Sequence, residues 1–236
     1  MRVVRGRGED PTADGEVTAR LLDEVGEHGE PAVRVWAPHR IVAFGRRDAN
    51  ESGYEAAASA ARERGFEPVT RSVGGRAVAY DGGTTLAFAR ITPVDDVRGG
   101  LDDRYEALTV DVRRALRRLG VPAERGEPSD SFCPGQHSLQ RDGKLVGIAQ
   151  RVRADAAITS GVCIVRHHEE LADLLDAVYG ALDAPFDPNS LGSIERAGGT
   201  SDPETVRATI EAELAGEPEP TVERLDGASV DSHDEP

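Results

Sequence analysis

Two residues of scarce types stand out as able to do chemistry together, Cys133 and Lys144. Cys133 is one of two cysteines in the chain, and Lys144 is the single lysine in 236 residues that otherwise use arginine as the cation. An ammonium is a compact donor whose pKa changes on burial, whereas a guanidinium stays charged. A thiol becomes a nucleophile as the thiolate, which a nearby cation favours. The pair therefore indicates nucleophilic chemistry, with a half-exposed spectator thiol and chance use of lysine as the alternatives.

The residues around this pair predict a hairpin. Pro134 and Gly135 follow the cysteine and mark a turn, and Arg-Asp-Gly at 141–143 marks a second one. Lys144 then opens an apolar run. We expect a thiol near one end of the hairpin and an amine near the other. The cations that could lie near the sulfur are Lys144, His137, Arg141 and Arg71.

A zinc site is a rival interpretation of the same cysteine. The spacing Cys-x3-His occurs twice, and two such pairs could form a tetrahedral site. The spacings differ from the usual structural ones, and we expect no metal. Cys163 lies between Val and Ile and is expected to be a small buried hydrophobe. The four residues concerned are Cys133, His137, Cys163 and His167.

The composition of the chain restricts its partners and its surroundings. Asp and Glu number 43 against 28 Lys and Arg, for a formal net charge of −15, which disfavours nucleic acid. Such an acidic, lysine-poor composition suits concentrated salt, where carboxylate repulsion is screened. We see no apolar leader and no membrane-spanning stretch, so we expect a cytoplasmic protein whose cysteines are thiols.

The periodicity predicts alternating helices and strands with an acidic end. Helices are expected over 11–26, 54–64, 101–119, 168–182 and 203–214. Strands are expected over 3–4, 31–38, 41–44, 66–71, 84–91 and 154–165. The stripe of the 101–119 helix is assigned to the core alone. We divide the chain into a catalytic domain over 1–200, a C-terminal helix over 201–216 and an acidic disordered tail over 217–236.

Gly74 and Gly75 form a double glycine between two predicted strands. Such a pair lets the backbone approach a ligand closely or take a positive φ. An ordinary hairpin turn is the alternative at this position.

Two motifs stand in this order of predicted elements. Arg71, Gly74, Gly75, Ala77 and Val78 form a Gly-Gly motif, and Gly143, Lys144, Val146, Gly147 and Gln150 form a lysine strand. The order of elements and the two motifs resemble the lipoate and biotin protein ligase family over about residues 1–195. The resemblance implies an α+β fold, a mixed, largely antiparallel sheet with packed helices, as in class II synthetases.

Three branches share this scaffold. The loop at 189–193 lacks the cysteine that one octanoyltransferase branch carries there. Cys133-Pro134-Gly135 followed by Lys144 is instead similar to the octanoyl amidotransferase branch. The resemblance implies an acyltransferase of the protein lipoylation pathway, in which Cys133 carries the octanoyl or lipoyl group as a thioester and Lys144 contacts the acyl carbonyl.

The resemblance also implies a set of substrate-binding residues and partners. The substrate-binding residues are Arg71, Ser72, Gly74, Gly75, Arg76, Ala77, Gly147 and Gln150. The implied partners are an acyl carrier as donor and lipoyl-domain acceptors such as E2 subunits and the glycine-cleavage H protein, with no cofactor. An ATP- and Mg-dependent lipoate ligase that uses Lys144 without a covalent cysteine is the runner-up. A non-catalytic lipoyl-domain binding protein is an alternative of another class.

Overall fold

The computed structural model describes residues 1–71, 75–96, 99–217 and 219–225, and strands of two sheets form its centre. The strands are β1 (Arg2–Arg5), β2 (Ala32–Trp36), β3 (Ile41–Phe44), β4 (Glu67–Thr70), β5 (Val78–Tyr80), β6 (Thr85–Pro93), β7 (Glu124–Arg125), β8 (Leu139–Gln140), β9 (Lys144–Val152), β10 (Ala156–Ile164) and β11 (Thr221–Arg224).

The larger sheet is mixed, with the order β11-β1-β2-β6-β10-β9-β8-β7. Strand β1 pairs in parallel with β2 and with β11, whereas every other neighbouring pair in this sheet is antiparallel. A smaller sheet has the order β4-β3-β5, parallel on one side of β3 and antiparallel on the other. This topology confirms the expected mixed, largely antiparallel sheet.

In the described residues, five α-helices cover the sheets. They are α1 (Pro11–His28), α2 (Tyr54–Glu63), α3 (Leu101–Arg118), α4 (His168–Ala181) and α5 (Pro203–Ala215). The Asp10 carboxylate caps α1 by accepting from the Ala13 N–H at 2.8 Å, and Pro11 supplies the first helical residue. Within the described ranges, every helix is too short or too polar for a membrane span.

The helices divide between the two faces of the larger sheet. Apolar residues of α3 and α5 pack with β2, β6, β9 and β10 in one buried cluster. Helix α1 packs against β1, β6 and β10 in a separate cluster on the opposite face. The smaller sheet, α2 and α4 form a third cluster that also contains Val162 and Ile164 of β10. Because Ile158, Val162 and Ile164 share one face of β10, α1 and the smaller sheet lie side by side over it.

Two expectations from the sequence need correction. Thr221–Arg224 were expected to lie in a disordered tail, but they pair with β1 and extend the sheet. The expectation was wrong because it relied on the low apolar content of the segment, whereas backbone hydrogen bonds to β1 hold the strand in place. Tyr105 was assigned to the core stripe of α3, but it is only partly buried and faces the cavity described below. The domain boundaries otherwise stay a prediction, and residues 226–236 lie outside the described ranges.

Candidate active site

Cys133 lies in the loop between β7 and β8, in a backbone conformation unusual for a residue with a side chain. Its φ is 39°, in the left-handed region, and its thiol is half-buried. The Cys133 N–H donates to the Tyr179 hydroxyl at 2.7 Å, and that hydroxyl donates to the Ala77 carbonyl at 3.0 Å. Burial raises the pKa of Tyr179, so the phenol keeps the proton that it donates. The nucleophile candidate is therefore held at its backbone from α4.

Arg71 is the cation that reaches the sulfur. Its Nη2 donates to Cys133 Sγ at 3.3 Å and to the Arg76 carbonyl at 2.7 Å. Burial opposes the charge of Arg71, but Cys133 and Tyr80 attract it, and the net result is a raised pKa for Arg71. A guanidinium that keeps its charge beside a thiol stabilises the thiolate.

The other three candidate cations are engaged elsewhere. The His137 ring stacks on Tyr105, with centroids 3.9 Å apart. Arg141 Nε lies 3.7 Å from the carboxylate of its neighbour Asp142. Lys144 faces the backbone of the cysteine loop, as described next. The sequence alone did not show which of the four cations lies at the sulfur. In the structure that cation is Arg71.

Lys144 is fully buried, and its ammonium makes three hydrogen bonds. Nζ donates to Glu127 Oε2 at 2.8 Å, to the Phe132 carbonyl at 2.8 Å and to the Cys133 carbonyl at 3.1 Å. Burial lowers the pKa of Lys144, and the hydrogen bond to Glu127 opposes this effect. All three protons of the ammonium are thus directed at acceptors within the chain.

Gly75 brings the Gly-Gly motif against the sulfur. Its φ is 95°, and a Cβ placed there would lie 2.8 Å from both Cys133 Sγ and Arg71 Nη2. The expected close approach of this backbone is therefore present at Gly75. Gly74 of the same motif and Ser72, which was predicted to bind substrate, lie outside the described residues.

A cavity of about 520 Å³ opens beside the thiol. It lies between α1, the smaller sheet and strands β9 and β10, and both Cys133 and Arg71 line it. Much of its wall is apolar, including Leu22, Val78, Ile148, Ile158 and Val162. A largely apolar cavity with a thiol and a cation in its wall can hold an alkyl chain with its reactive carbonyl at the sulfur.

The remaining predicted binding residues divide into two groups. Gly147 and Gln150 line the cavity, and the Gln150 amide donates to the Thr159 hydroxyl at 3.0 Å. Arg76 and Ala77 instead support the site with their carbonyls, which accept from Arg71 and Tyr179 respectively. The Arg76 side chain points away, because its Nη1 donates to the buried Asp48 at 2.9 Å.

Four residues of the site escaped the sequence prediction. They are Tyr105, Glu127, Ser138 and Tyr179. Tyr105 falls in the apolar stripe of α3, so periodicity placed it with core residues. Tyr179 lies in α4, and nothing in its spacing marked it as part of a site. Glu127 is one of many carboxylates in an acidic chain. Glu127 lies close to the single lysine because β8 pairs with β9, which begins at Lys144. No local pattern in the sequence shows this pairing.

The structure does not bring the proposed zinc ligands together. Cys163 is fully buried in the core with α3 and α5, and burial raises the pKa of its thiol to about 12. Cys133 lies in the separate cluster with α4. In the described part of the chain, no three His, Cys, Asp or Glu side chains are grouped to hold a metal.

Comparison with known proteins agrees with this arrangement. A family model of the lipoyl protein ligase A/B catalytic domain matches residues 10–214. The octanoyl-[GcvH]:protein N-octanoyltransferase of Bacillus velezensis is 34% identical over 169 residues, which cover 68% of this chain and 57% of that protein. The protein of the same name from Exiguobacterium sibiricum is 34% identical over 154 residues, covering 64% and 55%. The chain thus spans somewhat more than half the length of these curated relatives.

Two solved structures share the fold. A lipoate-protein ligase A bound with ATP has a TM-score of 0.67 at 18% identity, covering 89% of this chain and 81% of that one. A T. acidophilum protein with bound lipoic acid has a TM-score of 0.67 at 17% identity, covering 96% and 89%. At these identities the likeness shows a common fold. Because the family model matches most of its length, this chain belongs to the lipoyl protein ligase A/B catalytic domain family.

Proposed function

We propose that the protein is an acyltransferase that moves an octanoyl group onto a lysine of a lipoyl-domain protein through a thioester on Cys133. The observation that carries this proposal is the Cys133 thiol beside the half-buried Arg71 guanidinium in the wall of a largely apolar cavity. The names of the curated relatives, which describe octanoyl transfer from octanoyl-GcvH to protein, support it.

The first step forms the thioester. The Cys133 thiolate, stabilised by Arg71, attacks the carbonyl of an octanoyl amide on the donor lysine. The carbonyl–nitrogen bond breaks, and the donor amine leaves with the proton that the thiol gave up. The alkyl chain lies along Leu22, Ile158 and Val162 of the cavity wall.

The second step reverses the first one on a different protein. A neutral acceptor lysine attacks the thioester carbonyl, the carbon–sulfur bond breaks, and the thiolate returns to its place beside Arg71. The acceptor amine loses a proton as the new amide forms, and this proton replaces the one that the thiol gave up in the first step. Because one lysine amide replaces another overall, the reaction needs no free energy from ATP.

The role of Lys144 in this scheme differs from the simplest expectation. The family resemblance implies contact between its amine and the acyl carbonyl. In the structure its three hydrogen bonds are made to Glu127 and to the carbonyls of Phe132 and Cys133. A carbonyl contact would therefore require Lys144 to exchange one of these bonds when substrate binds.

The test is a transfer assay with purified proteins in concentrated salt. An octanoylated glycine-cleavage H protein serves as donor and an unmodified E2 lipoyl domain as acceptor, with no ATP, and the acceptor mass is measured. We expect acceptor octanoylation with wild type and with Cys163→Ala, and none with Cys133→Ala. Octanoylation that needs ATP and free octanoate, and that survives Cys133→Ala, would contradict the proposal and favour a ligase. Binding of the acceptor without transfer would favour a non-catalytic protein.

A further inference from the structure

Glu127 occupies the base of the cysteine loop and has no role in the scheme above. Its Oε2 accepts from Lys144 Nζ at 2.8 Å, from the Gly135 N–H at 3.0 Å and from the Ser138 hydroxyl at 2.5 Å. One carboxylate oxygen therefore joins the first residue of β9 to both sides of the turn that follows Cys133. We infer that Glu127 is a positioning residue that acts through Lys144 to hold the Cys133 thiol against Arg71.

Glu127 keeps the charge on the Lys144 ammonium. A charged ammonium has three N–H donors, whereas a neutral amine has two, and Lys144 faces three acceptors. Its side chain has 0% exposure, which disfavours the charge, so a partner carboxylate is needed to keep it. Glu127 is that partner, with 17% exposure. Without Glu127, the lysine would lose its proton or remain as an unpaired buried charge.

The charged Lys144 in turn holds the backbone of Cys133. A φ of 39° is costly for a residue with a Cβ, so bonds from the surrounding structure must maintain it. Lys144 binds the carbonyls of Phe132 and Cys133, and Tyr179 binds the Cys133 N–H. Loosening the Lys144 side of this arrangement lets the backbone relax. The sulfur then leaves its position 3.3 Å from the Arg71 guanidinium.

The test measures the reactivity of the thiol and uses no acyl substrate. Wild type, Glu127→Gln and the matched control Glu124→Gln are treated with iodoacetamide across a range of pH, and the labelled mass is followed with time. Glu124 is an exposed residue of β7 in the same segment. Because Cys163 has 0% exposure, the label on the folded protein reports Cys133.

We expect alkylation of Glu127→Gln to be about tenfold slower at neutral pH, the size of losing one hydrogen bond to a charged group. The control should match wild type, and Glu127→Asp should recover part of the rate. Lys144→Met should slow alkylation similarly, and adding it to Glu127→Gln should cost little more, because the two residues act as one unit.

Wild-type alkylation in Glu127→Gln would overturn the inference. So would losses that multiply in the double variant, because they would mean that the two residues act independently. The positioning role of Glu127 rests on the proposed function, because it matters only if Cys133 is the nucleophile. The two proposals are nevertheless contradicted by different results. Transfer that persists in Cys133→Ala contradicts the thioester mechanism, whereas unchanged alkylation in Glu127→Gln contradicts only the positioning role.

Discussion

Gly75→Ala is the substitution that probes the contact between sulfur and guanidinium most directly. The native φ of 95° disfavours any residue with a Cβ, at a cost of about 1–3 kcal/mol in the free energy of unfolding. The new methyl group would lie 2.8 Å from both Cys133 Sγ and Arg71 Nη2, well inside ordinary contact of 3.4 Å or more. Both side chains must retreat, and their own 3.3 Å contact is lost.

The expected effect on chemistry exceeds the effect on stability. Loss of a hydrogen bond to a charged group is worth about 1.5 kcal/mol or more, so we expect iodoacetamide alkylation of Cys133 and octanoyl transfer to fall by about tenfold or more. Both rates are measured below the melting temperature. Denaturant unfolding on the same samples measures the loss of stability.

Gly180→Ala is the matched control. Gly180 lies in α4, where a Cβ would meet nothing within 4 Å. We expect this variant to gain about 0.5–1 kcal/mol of stability and to keep both rates. If Gly75→Ala keeps wild-type alkylation and transfer, then the sulfur does not depend on the contact seen here, and the reasoning is refuted.

Three further outcomes follow from the same geometry. Arg71→Gln should slow alkylation and transfer together while unfolding changes little, and equal slowing in a denatured sample would contradict a local effect. Lys144→Arg should lose transfer as fully as Lys144→Ala, because the enclosed site fits an ammonium; near-wild-type turnover would refute this. Thiol titration should find one reactive thiol per folded chain and two after unfolding. Because burial raises the pKa of Cys163 from 9.0 to about 12, the stability that the protonated thiol contributes below pH 9 should fall as pH rises toward 12. A Cys163→Ala variant should lack this part of the alkaline decline in the free energy of unfolding.

Local signals in the sequence predicted the framework of the site. Asp10 followed by Pro11 gave the start of α1, which forms one wall of the cavity. The Pro-Gly pair after Cys133 predicted the turn that follows the thiol in its loop. The scarcity of lysine drew attention to Lys144. Each of these signals depends on residues close together in the chain.

The contacts that define the chemistry depend on distant parts of the chain. Arg71 follows β4 of the smaller sheet, whereas Cys133 lies in a loop between β7 and β8 of the larger one, and their side chains are in contact. Tyr179 contacts Cys133 from α4. The sequence marked Lys144 as special but indicated a contact with substrate, whereas the fold surrounds its ammonium with three acceptors. The pairing of β11 with β1 joins the two ends of the described chain, and no periodic pattern reports such a pairing.

The most direct test of the account is the intact mass of the purified protein after incubation with an octanoylated carrier, without ATP and in concentrated salt. We predict an octanoyl adduct that hydroxylamine removes, present in wild type and in Cys163→Ala and absent in Cys133→Ala. Acceptor octanoylation without any adduct on the enzyme, unaffected by Cys133→Ala, would contradict the thioester on Cys133.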